Sequence, residues 1–164
     1  MSKSDKNFGP LTGVRVLDLT INVLGPVATQ ILGDLGAEVI KVETPSGDPM
    51  RLIGSSKTGM LGPFFQTTNR NKKSIVLDLK EADEKEALLK LAGECDVFVH
   101  NMRHAATERL GIDYKKLKKA APKIIYASAT GYRRNSPKDG RPAYDDVIQG
   151  ESGLVDLIDQ TNGE

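Results

Sequence analysis

The feature that most constrains this chain is a regular alternation of short β-branched segments with longer amphipathic ones. Val14-Arg15-Val16-Leu17-Asp18-Leu19 reads as a first strand. Gly25-Pro26 opens a helix, because proline in the first helical turn forfeits no needed hydrogen bond. Val27, Ile31, Leu32 and Leu35 are expected on its core-facing side, and Gly36 stops it with a left-handed cap. Glu38-Val39-Ile40-Lys41-Val42 is a second strand. Residues 44–73 form a long irregular stretch punctuated by Pro45, Gly47, Pro49, Gly54, Gly59, Gly62 and Pro63. Loops of that length inside a domain are usually functional or disordered. A third strand is expected over 74–79, a helix over 81–94 with Ala82, Leu88, Leu89 and Leu91 inward, and a fourth strand at Val97-Phe98-Val99. A lysine-rich helix over 113–120, a fifth strand over 124–128 and a helical start from Tyr144 to Leu157 complete the pattern. The expectation is an α/β fold: a Rossmann-like parallel sheet with flanking helices and ligands beyond the carboxyl ends of its strands. Residues 1–9 are expected to be a disordered lead-in, 10–157 the Rossmann-like domain, and 158–164 an open-ended connection. Because the last residues close no element, the chain is expected to be the N-terminal part of a truncated large domain.

Composition excludes several classes. Lys and Arg number 23 against 22 Asp and Glu, a net charge of +1, so bulk charge gives no reason to expect nucleic acid or an anionic membrane. Trp is absent and aromatics are 5%, which leaves no stacking platform for bases. No apolar run approaches the roughly 18 residues of a membrane span, and Met1 to Asn7 lacks the apolar core of a signal peptide. Cys95 is the one cysteine, which rules out an internal disulfide or a multi-cysteine zinc site. A single thiol suits a reducing compartment, so a cytoplasmic location is expected.

Several residues invite chemistry. Gly25 after the first strand and Glu43 after the second suggest a dinucleotide turn, but the chain reads Val23-Leu24-Gly25-Pro26-Val27, without G-x-G-x-x-G. His100 and His104 have the spacing of two metal ligands on a helix, yet strand four ends at His100 and no HExxH glutamate is present, so no metal is expected. Cys95 has no nameable base partner and reads as a structural thiol. Lys115, Lys116, Lys118 and Lys119 read as a solvated helix face. Arg51, Arg70, Lys72, Lys73, Arg103 and Arg109 differ, since they lie in loops near predicted strand ends, where anions bind.

A set of blocks then follows in fixed order. Gly25-Pro26 leads to Leu32-Gly33-Asp34-Leu35-Gly36-Ala37-Glu38-Val39-Ile40-Lys41-Val42-Glu43 and Gly47-Asp48-Pro49-Met50-Arg51. Next come Asn69-Arg70-Asn71-Lys72-Lys73-Ser74-Ile75-Val76-Leu77-Asp78-Leu79-Lys80 and Asp96-Val97-Phe98-Val99-His100-Asn101-Met102-Arg103. Arg109-Leu110-Gly111, Tyr126-Ala127-Ser128-Ala129-Thr130-Gly131-Tyr132 and Tyr144-Asp145-Asp146-Val147-Ile148-Gln149-Gly150-Glu151-Ser152-Gly153 close the series. Over about residues 10–157 the chain resembles the family III CoA-transferases, the formyl-CoA transferase and carnitine-CoA transferase type.

The resemblance implies a Rossmann-type large domain in an interlocked homodimer, with coenzyme A bound at strand ends as a substrate. It implies acyl-CoA and carboxylic acid substrates, no metal, no nucleic acid and no membrane. In that family an aspartate attacks the acyl-CoA thioester, and CoA passes through an aspartyl intermediate to an acceptor carboxylate, one hard exchange divided into easier steps. By motif position, Asn22, Val23 and Leu24 correspond to the family's CoA-contacting turn. Leu77 and Lys80 match its LDLK contacts, Asn101 and Met102 its Asn-Phe pair, and Arg109 with Leu110 its Arg-hydrophobe pair. Arg109 and Lys80 would meet phosphate, and Leu77, Met102 and Leu110 would pack an adenine face. One departure is Asn101-Met102-Arg103-His104-Ala105, where the family has Asn-Phe-Arg-Pro-Gly. The family's nucleophile lies in an Asp-x-x-x-Gly segment expected past Glu164, and Asp145, Asp146, Asp156 and Asp159 are not in that motif. No catalytic residue is therefore assigned, and the chain alone is expected to bind CoA without turning it over. The rivals are an α-methylacyl-CoA racemase on the same fold, whose His-Asp base pair would stand where this chain has Tyr144-Asp145, and a non-catalytic CoA- or nucleotide-binding module.

Overall fold

Five short runs rich in Val, Ile and Leu pair as parallel strands: β1 (Arg15–Leu19), β2 (Glu38–Glu43), β3 (Lys72–Val76), β4 (Val97–His100) and β5 (Ile125–Ser128). The structure is a computed structural model that describes residues 9–57 and 59–162. The sheet order is β3-β2-β1-β4-β5. Arg15 aligns with Glu38, Val16 with Val97, Val39 with Lys72, and Val97 with Ile125. The order reverses between β1 and β4, the switch point outside whose strand ends this class of fold binds ligands. Seven α-helices connect the strands or follow them: α1 (Leu24–Asp34), α2 (Pro63–Thr68), α3 (Ala82–Gly93), α4 (His104–Leu110), α5 (Tyr114–Ala120), α6 (Asp145–Glu151) and α7 (Leu154–Asn162). A 3-10 turn, η1, spans Pro49–Leu52. The α/β parallel sheet expected from the alternation is the fold observed.

The two faces of the sheet differ in chemistry. Leu17, Leu19, Ile40, Val42 and Phe98 join Leu88 and Ala92 of α3, Ile112, and Leu117 of α5 in the main core. Each such side chain, taken from water, contributes roughly 1.5–3 kcal/mol. Val16, Val39 and Val99 form a smaller cluster with Ala37. Between them in the strands stand Asp18 and Lys41, both fully buried.

That polar face explains where helix α1 departs from expectation. Its buried residues are Gly25, Pro26, Thr29, Gln30 and Gly33, while Ile31 and Leu35, expected inward, are exposed. Val27 and Leu32 are only half-buried. Thr29 Oγ1 donates to Asp18 Oδ2 at 2.6 Å, so the helix turns its small and polar side to the buried charges. Gly25 is required by close approach, since a Cβ there would lie 2.3 Å from the Thr20 side chain. In α3, Leu88 and Ala92 carry the burial, Leu89 and Leu91 are half-buried, and Ala82 is exposed at the first turn, outside the inward set in which it was expected.

Four segments differ from what the sequence leads one to expect. The stretch expected to be irregular over 44–73 contains η1, α2 and the start of β3. Asp48 caps η1 by accepting from the Met50 amide at 3.0 Å, and Pro63 opens α2. Strand β3 starts two residues earlier than expected and ends at Val76, although the Leu77 amide still donates to the Glu43 carbonyl at 2.9 Å. Helix α4, with no counterpart in the reading from sequence, begins at His104 and ends at Gly111, whose φ is 76°. The connection expected over 158–164 is helical as far as Asn162. The lead-in expected over 1–9 lies outside the described residues except Gly9, which packs against Leu35.

Candidate functional site

The predicted contact residues fall on three of the five strand-end loops. Asn22, Val23 and Leu24 form the turn from β1 into α1. Leu77 and Lys80 follow β3, and Asn101 and Met102 follow β4, with Arg109 and Leu110 in the last turn of α4. Asn101 joins two of these loops across the switch point. Its Oδ1 accepts from the Ile21 amide at 3.0 Å and its Nδ2 donates to the Ile21 carbonyl at 2.8 Å. Leu77, Met102 and Leu110 pack against the same main core cluster, each half-buried. Val23, Leu24, Lys80 and Arg109 are exposed. The β1 and β4 loops are thus joined at Asn101, while Leu77, Met102 and Leu110 sit at the margin of the main core.

Most of the loop cations singled out as anion-binding candidates are already paired. Arg51 makes a two-pronged contact to Glu43, 2.7 Å at each oxygen, and lies over the Phe65 ring at 3.8 Å. Lys72 Nζ is 3.0 Å from Asp18 Oδ2 and is buried. Burial pushes the Lys72 ammonium below its usual value, with Asp18 opposing. Arg70 pairs with Asp34, and Lys73 with Glu38. Arg51 and Lys72 are bound into the interior, while Arg70 and Lys73 make exposed ion pairs. Arg103 reaches only the Gly140 carbonyl, at 3.5 Å, so Arg103 and Arg109 are the cations of that set not held by a carboxylate among the described residues.

The other candidates resolve similarly. Glu43, the acid where a ribose ligand would sit, has its carboxylate taken by Arg51, by Ser74 Oγ at 2.6 Å and by the Asp48 amide at 3.0 Å. Burial works to raise its pKa, but these partners outweigh burial and hold the carboxyl at about 2. His100 ends β4 fully buried, while His104 opens α4, so the two do not share a helical face. The His100 Nδ1 accepts from the Met102 amide at 3.1 Å, and its ring meets Tyr126 edge-on at 5.1 Å. Burial, then the neighbouring His104, pushes its pKa down to about 4, so the ring is neutral at pH 7. Among the described residues no cluster of three or more metal-ligating side chains occurs. Cys95 is buried and burial pushes its thiol up, the opposite of an activated nucleophile.

The reading from sequence missed a buried polar lattice beside this switch point. Asp18 Oδ1 accepts from Thr20, Asp18 Oδ2 from Thr29 and Lys72, and Lys41 pairs with Asp48 at 2.9 Å with both side chains out of water. Lys41, in the middle of an otherwise apolar strand, was the signal that could have exposed it.

Comparison with known proteins decides the family. The model of CoA-transferase family III matches residues 11–164. The chain belongs to CoA-transferase family III. Human succinyl-CoA:glutarate CoA-transferase is 43% identical over 159 residues, 96% of this chain and 36% of that protein. Acetyl-CoA:oxalate CoA-transferase of Acetobacter aceti is 40% identical over 151 residues, 92% of this chain and 39% of that protein. The crystal structure of a CaiB/BaiF family protein from Brucella suis superposes with a TM-score of 0.84 at 37% identity, covering 89% of this chain and 40% of that one. The chain therefore spans well under half the length of the family III relatives it matches. Among the described residues no helix is long and apolar enough to cross a membrane.

Proposed function

We propose that this chain grips coenzyme A as part of an acyl-CoA:carboxylate CoA-transferase. The observation that carries the reading is the tie between two loops at the switch point: Asn101 holds the β1 loop to the β4 loop. Leu77, Met102 and Leu110 pack half-buried against the main core, and Lys80 and Arg109 are exposed. Outside strand ends where the order reverses is where this fold binds ligands. The apolar side chains suit an adenine face, and the two cations suit phosphate through charge-assisted hydrogen bonds. The curated relatives are CoA-transferases by name, which supports transfer of CoA to a carboxylic acid. In the whole enzyme the transfer runs through an aspartyl intermediate. The aspartate attacks the donor thioester, expelling CoA thiolate and forming a mixed anhydride; the thiolate then attacks the aspartyl carbonyl, releasing the donor carboxylate and leaving an aspartyl thioester. The acceptor carboxylate attacks that thioester, and the expelled thiolate opens the new anhydride at the acceptor carbonyl, giving the new acyl-CoA and restoring the aspartate. The enzyme works as a cytoplasmic interlocked homodimer.

None of Asp145, Asp146, Asp156 and Asp159 lies in the family's nucleophile motif, so the chain as given binds CoA but does not turn it over. Calorimetry with CoA and with NAD tests this. CoA should bind more tightly, and Arg109→Ala should weaken it by roughly 1.5–3 kcal/mol, the scale of a hydrogen bond to a charged group. Tighter NAD binding, or an Arg109→Ala variant that binds CoA unchanged, would overturn the assignment. Mass spectrometry after incubation with acyl-CoA donors and carboxylate acceptors should show no exchange and no adduct. An adduct on any of the four aspartates would show that the nucleophile is here.

A further inference from the structure

We propose that Asp48 is a positioning residue that sets the β1–α1 turn for its ligand, a role that rests on the CoA reading of that turn. The turn carries Asn22, Val23 and Leu24. Its backbone is not relaxed: Asn22 holds a φ of 67°, a left-handed conformation that asparagine tolerates better than most residues. Something must keep it there, and two neighbouring loops do.

Asp48 lies on the loop between β2 and η1 and is buried. Its Oδ1 accepts from the Asn22 amide at 3.4 Å as well as from the Met50 amide at 3.0 Å. Its Oδ2 is 2.9 Å from Lys41 Nζ, and the same ammonium donates to the Thr20 carbonyl at 2.7 Å. One buried ion pair thus reaches the turn at backbone atoms on either side of Ile21, whose own amide and carbonyl are taken by Asn101. Capping η1 would explain only the Met50 contact, and a solvent-facing Asp or Ser would serve for that. Burying a charge pair is costly unless further hydrogen bonds satisfy it. Here those further bonds run to the turn. With the backbone of Thr20, Ile21 and Asn22 so engaged, the exposed side chains of Ile21, Val23 and Leu24 are presented outward.

Charge-balanced double variants separate positioning from fold stability. Lys41→Met with Asp48→Asn removes both charges and keeps an acceptor oxygen facing Asn22. Lys41→Met with Asp48→Leu removes both charges and the acceptor. Wild type and both variants are compared by CoA calorimetry, melting temperature and hydrogen exchange of the Asn22 amide. The Asn variant should bind CoA within about threefold of wild type, and the Leu variant about tenfold more weakly, about one hydrogen bond's worth. Asn22 should exchange about tenfold faster in the Leu variant, with the two variants melting within a few degrees of each other. If the Leu variant does not fold, Lys41→Met with Asp48→Ser, whose hydroxyl can still cap η1, takes its place with the same expectations. Equal CoA affinity and equal Asn22 exchange in the two variants would overturn the proposal. A wild-type chain that ignores CoA while Asn22 exchange still follows position 48 would remove the CoA reading and leave the positioning of the turn standing.

Discussion

At the scale of residues, two buried titratable groups set how this chain responds to acid. His100 has its folded pKa pushed from 6.5 down to about 4 by burial and by His104, so the unfolded chain binds the extra proton between those values. Stability is therefore full above about pH 6.5 and falls as pH drops toward 4. Glu43, held at about 2 against 4.5, extends the loss from about pH 4.5 downward, because there the unfolded chain takes up a proton that the folded carboxylate does not. Each shift corresponds to about 3 kcal/mol when fully titrated. Denaturant unfolding should show stability level above about pH 6.5 and falling from there to pH 3. His100→Gln should flatten the upper part of that profile and Glu43→Gln the lower part. A wild-type profile that is level between pH 6.5 and 4.5 would contradict the neutral, buried His100. These residues also show what a linear sequence hides. Glu43 could be seen to end the second strand, and His100 the fourth. That Glu43 would be taken by Arg51, Ser74 and the Asp48 amide depends on loops folding back over the strand ends, which no local pattern states.

At the scale of elements, strand identity was legible because hydrophobic runs of β-branched residues in a parallel sheet are buried on both faces. Helix orientation was less so. The apolar stripe of α1 pointed to a core-facing side, yet the strands beneath it carry Asp18 and Lys41, and the helix instead buries Thr29, Gln30 and its glycines. Helix α3 obeys the simple rule because its side of the sheet is apolar. Leu88, fully buried against that side, should cost about 2–5 kcal/mol when replaced by alanine, the range for a large core side chain. The exposed Ile31→Ala should cost well under that, and calorimetric melting of the two variants checks the contrast. Equal losses would mean that α1 buries its apolar stripe after all. Helix α4 and η1 escaped notice because each is under eight residues, too short for periodicity to emerge.

At the scale of the whole molecule, the sheet order β3-β2-β1-β4-β5 does what separate motifs could not. It brings Ile21 and Asn101, eighty positions apart, into hydrogen-bonding contact between the β1 and β4 loops. Family membership was legible from the order of blocks, and the model match over residues 11–164 agrees. The most direct measurement is a titration of the isotopically labelled chain with CoA, followed by amide nuclear magnetic resonance shifts up to about 1 mM ligand, a weak-binding limit. The account predicts saturable shifts clustered at residues 22–24, 77–80, 101–102 and 109–110. Saturable shifts confined to the open surface around Ser55, Lys57 and Gln66, or no shifts at any concentration, would contradict it.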